Sequence, residues 1–195
     1  MRFTVRLGVL ATLLIAHCLV AAQMAGTQTT TDSIGLIASA LRADQFDKAL
    51  ERLQPELKRS PKNVQLWTLQ GIALSGKGAK KDALGAFYHA LGISPDYLPA
   101  LEGAAQIEYE NSGKDTVALL QHILKLRPGD LTSHAMLAVV AYRRGDCATA
   151  VSHFEQSGLL LDSQPGALQQ YGDCLVRLKE TEKAITVFER DLARP

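Results

Sequence analysis

From Ser33 onward, apolar residues return every three or four positions, the spacing of one buried face on an α-helix. The pattern predicts helices over 33–42 and 45–59, 64–76 and 80–93, 97–111 and 114–126, 131–144 and 147–160, and 166–178 and 181–193. Between them stand Pro61, Pro95 and Pro128, which lack a backbone N–H and so end one helix or start the next. Gly113 and Gly145 allow the chain to reverse within a pair. The first 32 residues read differently. Leu7 to Val20 is apolar apart from Thr12 and His17, and Gln23 to Asp32 is small, polar and rich in threonine, with no period that buries a face.

The helices pair into five similar units. The second helix of each carries a small residue, Ala49, Ala83, Ala118, Ala150 or Ala184, at separations of 34, 35, 32 and 34 residues. A period near 34 with two helices per unit is the tetratricopeptide spacing. The second unit holds Trp67, Gly71, Leu74, Ala83, Phe87, Ala90 and Pro95, which resembles the family pattern of Trp, Leu-Gly, Tyr, Ala, Phe, Ala and Pro. Gln70 replaces the usual Leu, and Leu74 the usual Tyr. The fifth unit resembles it through Leu168, Tyr171, Gly172, Ala184, Phe188 and Pro195, and the fourth through Leu137, Ala138, Ala141, Gly145, Ala150 and Phe154. The third, with Leu101, Ala105, Gly113, Ala118 and Pro128, and the first, with Leu36, Ile37, Ala40, Ala49, Leu53 and Pro61, are looser. The units fall at about 33–63, 64–97, 98–129, 130–163 and 164–195. The resemblance implies an all-α, right-handed α-solenoid of tetratricopeptide-type hairpins. First helices would line a concave groove and second helices would form its back. Gly71, Ala105, Ala138 and Gly172 are expected at close helix approaches, and Phe87, Phe154 and Phe188 between hairpins.

Composition narrows the choices. The 195 residues are 47% hydrophobic but only 6% aromatic, and the formal charge is +1. No field of either sign points to nucleic acid or anionic lipid. Arg2 and Arg6, the apolar stretch and the small residues Val20-Ala21-Ala22 have the layout of a secretory leader cleaved after Ala22. Gln23 to Asp32 then reads as a flexible tether. The alternative is an uncleaved membrane anchor over 7–22, although 16 residues are short for a bilayer span of about 20. The expected location is therefore the periplasm or the outside of the cell, with membrane attachment as the alternative.

Candidate chemistry is sparse. No His-Glu-x-x-His, Cys-x-x-Cys or glycine-rich phosphate loop occurs, so neither catalysis, a metal nor a cofactor is expected. His89, His122, His134 and His153 fall on different helices at unrelated positions and read as solvated or partly packed imidazoles. Glu108 and Glu110 are two apart, face different sides of a helix, and make no acid–base pair. If the family's packing holds, Cys147 and Cys174 lie on neighbouring antiparallel helices. They are either a disulfide, which export would permit, or two buried thiols.

The resemblance also implies a ligand-facing surface on the first helices. It carries over to Glu102, Gln106, Tyr109 and Glu110 in the third unit, Val139, Tyr142 and Arg143 in the fourth, and Gln169, Asp173 and Arg177 in the fifth. Polar groups beside Tyr109 and Tyr142 suit an extended peptide or a partner helix, and Tyr142 is expected to stand apart from the core. The bland alternative is a solvated helix face. The paired Lys and Asn with which some family members hold the acidic tails of chaperones are missing here. The function expected is an exported protein-binding scaffold. Two alternatives stand beside it: the interaction arm of a larger enzyme, and a membrane-tethered assembly factor.

Overall fold

The computed structural model describes residues 33–158, 160–163 and 166–193. The leader, the alternative anchor, the tether and the closing Pro195 lie outside the described residues. Helices and turns make up the described chain, with no strand among the described residues. In chain order they are α1 (33–42), α2 (Phe46–Arg59), α3 (Val64–Gly76), α4 (Lys80–Ile93), α5 (Leu98–Glu110), α6 (Thr116–Leu126), α7 (Leu131–Arg143), α8 (Cys147–Ser157), α9 (Leu160–Ser163), α10 (Ala167–Arg177) and α11 (Thr181–Leu192). The described residues up to Ala86 and those from Phe87 onward make two compact units.

In the first unit the apolar stripes of α1, α2 and α3 meet in a core of Ile37, Ala40, Ala49, Leu53, Leu66 and Ala73. Asn63 caps α3: its side-chain oxygen accepts from the N–H groups of Gln65 (3.0 Å) and Leu66 (3.3 Å), two donors that the first helical turn leaves unpaired. The indole N–H of Trp67 donates to the Pro61 carbonyl at 2.8 Å and ties the preceding turn to α3.

In the second unit α5–α6, α7–α8 and α10–α11 are hairpins, and α6 packs on α7 as α8 packs on α10. Ala150 and Ala184 are buried, as the repeat requires. Ala118 is exposed, which corrects its place in the repeat. The small buried position of α6 is Thr116, whose hydroxyl donates to the Gly113 carbonyl at 2.8 Å and so needs no other partner. With Thr116 in place the spacing becomes 34, 33, 34 and 34. Leu120 then stands where Phe154 stands in α8, and Ala104 rather than Ala105 where Ala138 stands in α7. Gly103 is needed as well, because a Cβ there would enter the ring of Phe87.

α8 is shorter than the apolar pattern predicts. The Ser157 hydroxyl turns back to the Phe154 carbonyl at 2.8 Å, and Gly158 adopts φ +57°, open to glycine but strained for other residues. The chain then makes the single turn α9, which buries Leu161.

Candidate functional site

The first helices of the second unit, α5, α7 and α10, carry every residue of the expected ligand-facing surface. Glu102, Gln106 and Glu110 are exposed on α5, Arg143 on α7, and Gln169 and Arg177 on α10. Tyr109, Tyr142 and Asp173 are half-buried. Val139 is only 6% exposed and belongs to the apolar core with Leu168, Tyr171 and Cys174 of α10, so it is a packing residue, contrary to expectation.

The half-buried residues hold one another across successive hairpins. The Arg143 guanidinium lies 5.5 Å from the centre of the Tyr109 ring, and that of Arg177 lies 6.0 Å from the Tyr142 ring, within cation–π range. The Tyr142 hydroxyl donates to Asp173 Oδ2 at 3.0 Å. That bond holds the phenol proton above its ordinary pKa, with burial and the Asp173 charge adding and Arg177 opposing. Both tyrosines also pack against the apolar core. Contrary to what the resemblance implied, Tyr142 does not stand apart from the core; it joins α7 to α10.

The space lies one hairpin earlier. A cleft of about 320 Å³ opens between α5 and α7. Glu102 and Gln106 form one wall, Thr132 and Met136 the other, and Leu120 and Ile123 of α6 lie at its base. A smaller cleft of about 210 Å³ lies between the far ends of the same helices, beside Tyr109, Thr116 and Arg143. On the wall of the larger cleft, the Gln106 amide donates to Glu110 Oε1 at 2.7 Å, and Glu102 is ion-paired with Arg127. Apolar floor with polar walls is the chemistry that holds an apolar side chain of a partner and fixes its backbone.

Three features escape a residue-by-residue reading. Glu108 is buried, and the Tyr88 hydroxyl lies 3.3 Å from its Oε1 and 3.3 Å from Asp115 Oδ2, with one proton to donate between them. Burial, then the two carboxylates, raise the pKa of that phenol. Gly113 leaves the room that the Glu108 carboxylate occupies. Next, His134 and His153 are not unrelated: their Nδ1 atoms are 2.9 Å apart, and His134 Nε2 is 2.9 Å from the Pro128 carbonyl. The Pro128 contact requires the His134 proton on Nε2, so His153 donates from Nδ1 to the bare Nδ1 of His134. Burial, and then repulsion from His134 whenever that ring is protonated, lower the pKa of His153. Finally, Cys147 and Cys174 are bonded, their Cα atoms 4.9 Å apart, and this disulfide ties α8 to α10. Among the described residues no group of three or more His, Cys, Asp or Glu is placed to hold a metal.

Residues 35–97 match the family model described as "Tetratricopeptide repeat". No curated protein matches the chain. Among solved structures, a crystal structure of MamA protein is similar at TM-score 0.70 and 19% identity, covering 85% of this chain and 91% of that one. A second crystal structure of MamA is similar at TM-score 0.67 and 18% identity, covering 80% and 92%. YrrB, described as "a TPR protein with an unusual peptide-binding site", is similar at TM-score 0.67 and 17% identity, covering 81% and 82%. At these identities the likeness is one of fold.

Proposed function

We propose, from an all-α solenoid of tetratricopeptide repeats, that this protein is an interaction scaffold that holds an extended peptide or a helix of a protein partner along α5 and α7. The observation that carries the reading is the 320 Å³ cleft with Leu120 and Ile123 below and Glu102 and Gln106 at its wall. One apolar side chain of the partner enters the cleft, and Gln106 and Glu110 meet its backbone. The Tyr142–Asp173–Arg177 cluster serves the same face indirectly, by fixing α10 against α7. The peptide-binding site in the printed description of YrrB favours a peptide ligand here as well.

Export completes the reading. The leader pattern over residues 1–22 supports it, and so does a disulfide, since such bonds persist in oxidising compartments. Mass spectrometry of the protein from its host should find Gln23 at the N-terminus; intact Met1 in the membrane fraction would replace export by anchoring.

The test of the site fills the cleft. Met136→Trp should leave the melting temperature within a few degrees of wild type and lose the partner recovered by the wild-type protein from its native envelope. Equal recovery by both proteins would place the partner elsewhere.

A further inference from the structure

The two clefts between α5 and α7 differ in charge. The acidic side chains of the larger one, Glu102 and Asp130, are both ion-paired with Arg127. The smaller one has no carboxylate in its lining, and the guanidinium groups of Arg143 and Arg144 stand there beside Tyr109, Ser112 and Val140. Both arginines are exposed, and neither has an ion-pair partner among the described residues. The acids on the neighbouring turns are held elsewhere. Glu108 and Asp115 meet the Tyr88 hydroxyl, Asp146 accepts from the Thr149 N–H at the start of α8, and Glu110 accepts from Gln106. The Tyr109 ring sets Arg143 in place. Arg144 ends α7 through its backbone N–H, which donates to the Val140 and Ala141 carbonyls, so its side chain is spare.

We infer that the smaller cleft receives an acidic side chain, Asp or Glu, of the same extended peptide whose apolar side chain enters the larger one. The inference rests on the scaffold reading and deepens it. A carboxylate from the partner neutralises charge that the chain itself leaves unneutralised, and it takes charge-assisted hydrogen bonds from planar guanidinium groups. Geometry then sets the spacing of the ligand. Along α5 and α7 the centres of the two clefts are about seven residues apart, or about 10 Å at the helical rise. A polyproline-type chain rises about 3.1 Å per residue with three residues per turn, so residues three apart share a face and span about 9 Å. A flat strand fits less well, because its residues three apart point to opposite faces. The polyproline form also has no internal hydrogen bonds, which leaves its backbone free to meet Gln106 and Glu110. The ligand is therefore a peptide with an apolar and an acidic residue three positions apart.

The test titrates the full chain, purified as its host processes it, into short fluorescent peptides with blocked ends. Each peptide carries one Leu and one Glu in a neutral background, at separations from two to seven residues and in both orders. The tightest should have a separation of three, and Gln in place of its Glu should weaken binding about tenfold at low salt. High salt should shrink that difference. Arg144→Glu, checked for an unchanged helical spectrum, should reverse the preference, so that a peptide with Lys in place of Glu binds better. Equal affinity for the Glu and Gln peptides, with binding still lost in Met136→Trp, would overturn the acidic subsite and leave the scaffold reading standing. A Glu preference that survives Arg144→Glu would overturn it too, by placing the carboxylate elsewhere. Tightest binding at seven residues would make the ligand a helix and overturn the extended peptide. Binding indifferent to Met136→Trp, or no binding by any peptide, would overturn both readings together.

Discussion

Two successive junctions of the same unit are built differently. Where α7 meets α5 and α6, the helices leave clefts of about 320 and 210 Å³; an arginine of α7 lies over a tyrosine face of α5, and the exposed Glu102–Arg127 ion pair stays within the α5–α6 hairpin. Where α10 meets α7 and α8, a disulfide, the Tyr142–Asp173 bond and the Phe154–Tyr171 ring pair close the space, and Leu161 of α9 is buried beside them. The repeat sets where helices stack; the residues between them decide whether a junction is sealed or left able to take a ligand. A short α8 contributes, because Gly158 ends it early and lets α9 fold in as an additional apolar plug.

The largest expected effect is at the sealed junction. Phe154→Ala removes a fully buried ring from it and should cost about 3–5 kcal/mol in denaturant unfolding, because the cavity cannot collapse between stacked helices. A loss near that of an exposed residue would mean that the junction is not packed as described. Breaking the disulfide by Cys147→Ser with Cys174→Ser comes next. The bond closes a separation of 27 residues, for which the chain-entropy estimate is about 3.5 kcal/mol. Hydrogen exchange should rise first in α10 and α11, while α5 and α6 keep their protection; a uniform rise would show that the two junctions open together.

Tyr142→Phe should cost about 1 kcal/mol, the usual net worth of one hydrogen bond, and leave Asp173 half-buried without its donor. No measurable change in stability would make the bond incidental. The smallest expected effect is that of pH. Folding lowers the pKa of His153 below its ordinary 6.5, so the unfolded chain binds the proton first. The neutral pair's contribution is therefore present above the unfolded-state value and lost as pH falls through the lower folded value. The melting temperature should fall more steeply between pH 7 and pH 5 in the wild type than in His153→Gln. Equal slopes would remove the histidine pair as a source of acid sensitivity.

Much of the fold is legible in the sequence because a repeat states its phase several times. Ala49, Ala83, Ala150 and Ala184 mark one position, and Phe87, Phe154 and Phe188 mark another. The phase slipped in the third hairpin because Ala118 has the right size at the wrong place, while Thr116 has a polar atom whose partner, the Gly113 carbonyl, is visible only once the turn is folded. Val139 misled for a related reason. Its position faces ligand in the resemblance, but an apolar side chain there is covered by α10. Glu108 with Tyr88 and His134 with His153 are pairs 20 and 19 residues apart on antiparallel helices. Their meeting depends on where each turn falls to within one residue, and spacing along the chain does not fix that. The clefts were beyond the sequence altogether, being what side chains of neighbouring helices fail to fill.

The claim that the open junction is the binding site has a direct test. A photo-crosslinking amino acid is placed at Gln106, on the wall of the larger cleft, and in a separate protein at Ala118, on the exposed side of α6, and each is expressed in the native host. Irradiation should give one discrete crosslinked species from position 106, abolished by Met136→Trp in the same chain, and none from position 118. The same species from both positions, or from position 118 alone, would contradict the account and move the partner off the α5–α7 face.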